Sequence, residues 1–341
     1  MNFSPKYTFS TKNNPICGVT TYQWYHIIKG RIKYVEIKYI FRVIFISVVS
    51  LLNSLLSVIE TIIFPNDYID RVTLRDDPIF IIGHPRTGTT LLHNLLCSDL
   101  EKFYFCTTFC AGFPSSFLWF EWFGKRVFSG LIEKTRPMDT MPLHFDLPQE
   151  DEIATNLLSC GLTYYMPLWF MKQEKQFRKF IDFDEKLGGT KEDEKKWTKA
   201  FIYLLKKLTI RGQRESLYLG LYHDNRRLVL KSPVHTGRIS LLRKIFPRAK
   251  FVYLHRDPYT VFQSSCHMAD TAYWYCYLNT PSNEQILEFI LWQFEYLWTT
   301  YSKAVAENDY CDTTAAPGAD DGVLYFTGGR SSQACAVAST R

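Results

Sequence analysis

PIFIIGHPRTGTTLLHNLL, residues 78–96, is the stretch on which the reading of this chain turns. Four apolar residues, Ile79 to Ile82, predict a short buried strand. Gly83, Pro85 and Gly88 break the run and end it in a tight loop. From Thr89 onward Leu91, Leu92, Leu95 and Leu96 recur at helical spacing. Strand, glycine-bearing loop and helix, in that order, make a cradle for a phosphate-like anion. Loop amides and the positive helix end point at the charge, and glycine lets the backbone approach it. The plainer reading is a βα turn that binds nothing. A cation inside the loop and three threonines around Gly88 argue against it.

The details of the loop bear on which anion it suits. Gly83 and Gly88 have the spacing of a nucleoside-triphosphate loop, which requires Lys and then Ser or Thr after the second glycine. Thr89 and Thr90 stand there instead, and the cation is Arg86, inside the loop. The segment Pro85-Arg86-Thr87-Gly88-Thr89-Thr90 resembles the 5′-phosphosulfate loop of sulfotransferases that use 3′-phosphoadenosine 5′-phosphosulfate (PAPS).

The 341 residues suffice for one large domain or two small ones. Aromatic residues make up 16% of the chain and the formal net charge is +6. That charge fits a polyanionic cosubstrate or an anionic membrane surface, as well as an ordinary basic surface. No nucleic-acid partner is expected. The nine cysteines form no Cys-x-x-Cys pair, and no His spacing completes a zinc site, so buried thiols and no metal are expected.

Residues 1–38 read as a polar N-terminal segment and 39–66 as a hydrophobic helix. Seventeen residues from Val43 to Ile59 carry no charge, with Arg31, Lys33, Lys38 and Arg42 upstream. One reading is a membrane span over residues 43–64, which would place the rest of the chain in a lumen, as in Golgi sulfotransferases. The rival is a helix lying on the membrane or on the protein itself. On a helical wheel Ser47, Ser50, Asn53, Ser54 and Ser57 do not gather cleanly on one face. Membrane association of one kind or the other is expected.

Phe103 to Phe128 is dense in aromatic residues, suited to an acceptor pocket, a lipid surface or core packing. RPMDTMPLHFDLPQEDE, residues 136–152, has prolines at 137, 142 and 148, so it predicts a loop ending at a helix start. Glu150, Asp151 and Glu152 fall at that start, where the helix dipole favours acids. Three acids exceed what a cap needs. Further strands are predicted at Leu228–Leu230, ending in Lys231, and at Phe251–Leu254, delivering His255-Arg256-Asp257-Pro258. Between them a helix begins after His235. This is a parallel crossover unit, and such sheets bind ligands beyond the carboxyl ends of their strands. After Asp309 the sequence turns small, polar and aperiodic, and residues 309–341 read as a disordered tail.

The blocks GHPRTGTTLLHNLL, RPMDTM, PQEDE, LKSPVHTGR and HRDPYTVFQS resemble those of a branch of the sulfotransferase family, over about residues 35–305. The resemblance implies an α/β fold of the three-layer, P-loop-like kind, with a central parallel sheet flanked by helices and an N-terminal hydrophobic helix. It assigns the sulfotransferase domain to residues 67–308. It implies a PAPS cosubstrate, a hydroxyl-bearing acceptor and no metal. Arg86, Thr87, Gly88, Thr89 and Thr90 correspond to the 5′-phosphosulfate loop, with Lys231 as a second cation. Arg256 and Ser264, eight residues apart, correspond to the pair that holds the 3′-phosphate, for which Arg offers a bidentate fork. Arg86 would neutralise the leaving oxygen. Glu150 is the first candidate for the general base, then Glu152, then His235. The family continues with another strand and an acidic motif, where this chain has its atypical tail. Two rival readings stay open: a P-loop kinase or NTPase, and an inactive membrane-associated nucleotide-binding protein.

Overall fold

The three predicted strands form and lie side by side in one sheet. In chain order the strands are β1 (Ile79–Gly83), β2 (Phe103–Phe105), β3 (Arg227–Lys231), β4 (Lys250–Arg256) and β5 (Val323–Gly328). The structure is a computed structural model that describes residues 3–221, 225–311 and 323–328. Its helices are α1 (Thr21–Ile28), α2 (Ile40–Ile63), α3 (Asn66–Asp70), α4 (Thr89–Leu96), α5 (Thr108–Gly112) and α6 (Phe117–Val127). They continue with α7 (Asp151–Leu158), α8 (Lys191–Tyr218), α9 (Ile239–Ile245), α10 (Pro258–Thr271) and α11 (Asn283–Cys311). The architecture is the expected α/β one, a parallel sheet with helices. Two compact units share the chain. One comprises Met1–Leu74, Phe105–Asp224 and His267–Leu287, and the other Arg75–Tyr104, Asn225–Cys266 and Glu288–Arg341.

The sheet belongs to the second unit and has the order β2-β3-β1-β4-β5. β1 runs parallel to β3, with Ile81 opposite Lys231, and parallel to β4, with Gly83 opposite Leu254. The predicted crossover from β3 to β4 therefore passes over β1, which lies between them. Every β1 residue is buried, as its uninterrupted apolar run requires of a strand covered on both faces. Phe80, its second residue, stacks on Phe251 of β4 at 5.3 Å.

The tail departs from expectation where it is described. α11 continues to Cys311, and Val323–Gly328 forms β5, paired in parallel with β4 from Phe251↔Val323 to Arg256↔Gly328. VLYFTG is a strand-prone run embedded in small polar sequence, and that surrounding composition masked it. The rest of the 309–341 expectation lies outside the described residues.

In the first unit, α1 starts on a capping box in which Thr20 and Gln23 bond each other's backbone amides. α8 is capped by Thr190, with Glu192, Asp193 and Glu194 in its first turn. The aromatic run divides into two parts. Phe109, Phe113, Phe117 and Phe120 are buried, with Phe113 stacked on Phe128 at 4.5 Å, while Trp122 and Phe123 stay exposed. Six of the cysteines, Cys17, Cys97, Cys106, Cys110, Cys266 and Cys276, are buried free thiols, as expected.

Helix α2 corrects the wheel reading. Its polar residues do gather inward: Arg42, Ser50, Asn53 and Glu60 are buried. Asn53 donates to the carbonyls of Cys17 and Val19, at 2.7 and 3.1 Å. Arg42 donates to the carbonyls of Tyr7, Trp274 and Tyr277. Ser47 and Ser54 accept from Trp24 and the Thr21 amide of α1. The serines looked scattered because Ser47 and Ser54 sit half-buried at the edge of the inward face.

Candidate active site

The loop after β1 is fixed by two hydroxyl groups, those of Thr87 and Thr236. Thr87 Oγ1 donates to the His84 carbonyl at 2.8 Å, closing the turn from within. Gly83 is clamped on both sides by one hydroxyl. Its amide donates to Thr236 Oγ1 at 2.8 Å, and that hydroxyl donates to the Gly83 carbonyl at 3.2 Å. Gly83 has φ +138, and a Cβ there would lie 2.7 Å from the Leu254 carbonyl oxygen, so β4 leaves no room for a side chain. Gly88, at φ +103, turns the chain into α4. No side chain caps α4, so its first amides stay available to an anion. Arg86 also takes a left-handed conformation, φ +76, which a non-glycine residue adopts only at a cost of about 1–3 kcal/mol. Strain of this kind gathers at functional sites, and here it falls on the residue that carries the charge.

The second unit brings most of the sequence-selected residues together at the carboxyl ends of its strands. Arg86 Nε donates to Ser264 Oγ at 3.0 Å. Arg256 Nη1 donates to the Arg86 carbonyl at 3.2 Å. Lys231, buried at the end of β3, donates to Thr90 Oγ1 at 3.3 Å. Ser264 is placed by local capping: Asp257 Oδ1 accepts from the Thr260 amide and hydroxyl, each at 2.8 Å, and so starts α10 directly after Arg256. Those bonds hold the Asp257 carboxyl below its ordinary range. Thr89 is buried at the head of α4. His235 is buried in the turn Pro233–Arg238, its ring edge-on to Phe80 at 5.5 Å.

Two residues of the second unit escaped the sequence reading. Thr236 fixes Gly83 from a turn about 150 positions away, and nothing local announces it. His84 is buried, with Nδ1 donating to the Pro85 carbonyl at 2.8 Å and its ring 4.7 Å from that of Phe294. Burial pushes its pKa down to about 4, against the opposing effect of the Pro85 bond, so the ring is neutral near pH 7.

The acid segment belongs to the first unit. Its proline loop is anchored to the chain before α5: Gln149 N donates to the Cys106 carbonyl and Thr108 N to the Leu147 carbonyl, both at 2.8 Å. Glu150 occupies the N-cap position of α7, but its side chain makes no capping bond. Instead its carboxylate accepts a short hydrogen bond from the Tyr165 hydroxyl. Asp151 and Glu152 lie in the first turn of α7 and are fully buried. Tyr165 gave no sequence signal, because it reaches Glu150 only through the turn that follows α7.

Known proteins resemble the chain over this same ground. A profile described as "Sulfotransferase family" matches residues 78–306. Two curated relatives, the omega-hydroxy-beta-dihydromenaquinone-9 sulfotransferases Stf3 of Mycobacterium bovis and Mycobacterium tuberculosis, are each 33% identical over 224 residues. The alignment covers 66% of this chain and 53% of theirs, so the chain spans about half the length of these relatives. Among solved structures, sulfotransferase STF1 of Mycobacterium tuberculosis superposes with a TM-score of 0.54 at 17% identity, over 84% of this chain and 73% of that one. That likeness speaks to the fold.

Proposed function

The chain belongs to the sulfotransferase family, and from that premise we propose that it moves a sulfuryl group from PAPS to an acceptor hydroxyl. One observation carries this reading: Arg86 bonds Ser264 while Arg256 bonds the Arg86 backbone. The 5′ loop and the expected 3′-phosphate pair are thus one interlocked polar group, matched to a nucleotide phosphorylated at both positions.

The chemistry asked of these residues is in-line displacement. The acceptor oxygen forms a bond to sulfur as the bond from sulfur to the nucleotide phosphate oxygen breaks. Charge grows on that leaving oxygen, where the Arg86 and Lys231 cations and the α4 amides would stabilise it. The acceptor proton goes to a carboxylate. Glu150 is favoured because its side chain is not committed to capping α7, and the Tyr165 hydroxyl fixes its orientation. Asp151 and Glu152 support the helix start. His235, packed against Phe80, reads as a core residue. The Stf3 relatives are named for an omega-hydroxylated menaquinone, and we infer an acceptor hydroxyl on an apolar molecule for this chain too.

The test is a transfer and binding assay on the full chain. Labelled PAPS incubated with a lipid extract should yield a labelled lipid. Binding of 3′-phosphoadenosine 5′-phosphate should exceed that of ATP, and Arg256→Ala should weaken it at least about tenfold, the value of one charge-assisted bond. Adenosine 5′-phosphosulfate should lose far less. Equal losses for both nucleotides, or preferential binding of ATP, would overturn the assignment.

A further inference from the structure

Helix α2 is inside out. Its charged and amide side chains face the protein, while Ile44, Val48, Leu51, Leu55, Val58 and Ile62 are each at least 55% exposed. At about 100° per residue these six fall within an arc of roughly 80°, and at about 1.5 Å per residue the stripe runs about 27 Å. We propose that this stripe is a seat on an anionic lipid surface, with α2 lying in the plane of the membrane and not crossing it.

The flanks of the stripe suit that surface. α1, bonded to Ser47 and Ser54, exposes Tyr22 and Tyr25. α6 is joined to α2 on the other flank by the bond from Trp119 Nε1 to the Leu56 carbonyl, and it exposes Trp122 at 75%. Tyr and Trp are the residues that settle at the level of lipid headgroups. Arg126 lies over the Trp122 ring at 4.5 Å and adds a cation beside that aromatic residue. The chain leading into α2 exposes Lys29, Lys33 and Lys38, and between residues 20 and 59 the only acid is Glu36. A basic border at the N-terminal end of the apolar stripe complements anionic headgroups, while the exposed acids Asp67 and Asp70 lie beyond its other end.

The same charges disfavour the other occupants. A second copy docked through this face with the two α2 helices parallel would set its cations against their own kind. A transmembrane orientation would pull Arg42, Asn53 and Glu60 away from the carbonyls, amide and ammonium that satisfy them and leave charges facing lipid. The seat stands independently of the transfer reaction. Only its use, presenting a membrane-borne hydroxyl, rests on the reading above.

The test needs no activity. The full chain is floated with phosphatidylcholine vesicles, with and without phosphatidylserine. It should float with the anionic vesicles, and Leu51→Asp/Leu55→Asp should lower the bound fraction at least about tenfold, with an unchanged melting curve because both positions are exposed. Lys33→Glu/Lys38→Glu should reduce flotation only with the anionic vesicles. On microsomes, an epitope at the N-terminus should be digested by added protease together with the rest of the chain. The proposal fails if the native chain does not float or if the double aspartate variant floats as well as it. It fails equally if the epitope and the body lie on opposite sides, the epitope cut and the body protected or the reverse, which is a span. A dimer in solution that the aspartates dissociate, without flotation, makes the face a protein contact and overturns the lipid seat.

Discussion

The loop Gly83–Thr90 and the helix Ile40–Ile63 place their polar groups in opposite ways. The loop leaves the first amides of α4 uncapped and holds a strained arginine, and its path is announced by its own glycines and by Thr87 closing on His84, although Thr236 and Ser264 brace it from afar. The helix turns Arg42, Asn53 and Glu60 inward and is satisfied by groups scattered along the first unit, from Tyr7 to Tyr277. A segment whose structure is written locally can be read from a window of sequence. One whose partners are remote shows only its composition. The helix was readable as long and apolar, but its inverted face was not.

The largest expected effect lies on the helix side. Glu60 accepts from the Leu118 amide at 2.7 Å and forms a short ion pair with Lys207, which also donates to the Pro114 carbonyl. Both side chains are buried, and burial lowers the Lys207 pKa against the pull of Glu60. Lys207→Met leaves Glu60 as an uncompensated buried charge and should cost about 3–5 kcal/mol in denaturant unfolding. Glu60→Gln/Lys207→Met should recover a good part of that loss. Leu55→Ser on the outer face of the same helix should change stability by no more than about 0.5 kcal/mol. Equal losses for Lys207→Met and Leu55→Ser would mean that the inward and outward faces do not differ as described.

The same contrast explains what the sequence did and did not disclose. β1, β3, β4 and the helix after the loop were legible because apolar runs and breakers are local signals. So were Arg86, Arg256 and Ser264, whose spacing is set by one loop and one helix start. β5 was hidden by the composition around it. Thr236 and Tyr165 were hidden because each acts on a residue, Gly83 or Glu150, to which it is joined only by the fold. The segregation of α2 was lost because Ser47 and Ser54 are half-buried edge residues that blur the boundary between its faces.

A middle-sized effect tests the loop. Gly83→Ala places a Cβ 2.7 Å from the Leu254 carbonyl oxygen in a left-handed backbone. The strand must shift or the loop must reshape, at a cost on the order of 1–3 kcal/mol. Because Gly83 sets the path of the anion loop, nucleotide binding should fall along with melting temperature. A variant that lost nucleotide affinity with an unchanged melting temperature would show that the loop is more pliable than its packing against β4 implies. Unchanged binding would show that its shape does not matter to the ligand.

The smallest effect concerns His84 and depends on pH. Its folded pKa of about 4 lies below the ordinary value of 6.5. Between those values the unfolded chain binds a proton that the folded chain does not, so acidification favours unfolding through this residue. The contribution is absent above about pH 6.5 and grows by at most about 1.4 kcal/mol per pH unit on the way down. Carboxylates with lowered pKa values, such as Glu36 at about 2, also lose stability in acid, so the informative quantity is a difference. His84→Gln keeps a polar side chain of similar reach to donate to the Pro85 carbonyl, and it does not titrate. Its melting temperature should fall less steeply than that of the native chain between pH 7 and pH 4.5, and the two curves should run parallel above pH 7. Curves that stay parallel throughout would mean the His84 ring takes up its proton while folded, and that this part of the loop opens to water more readily than its burial against Phe294 suggests.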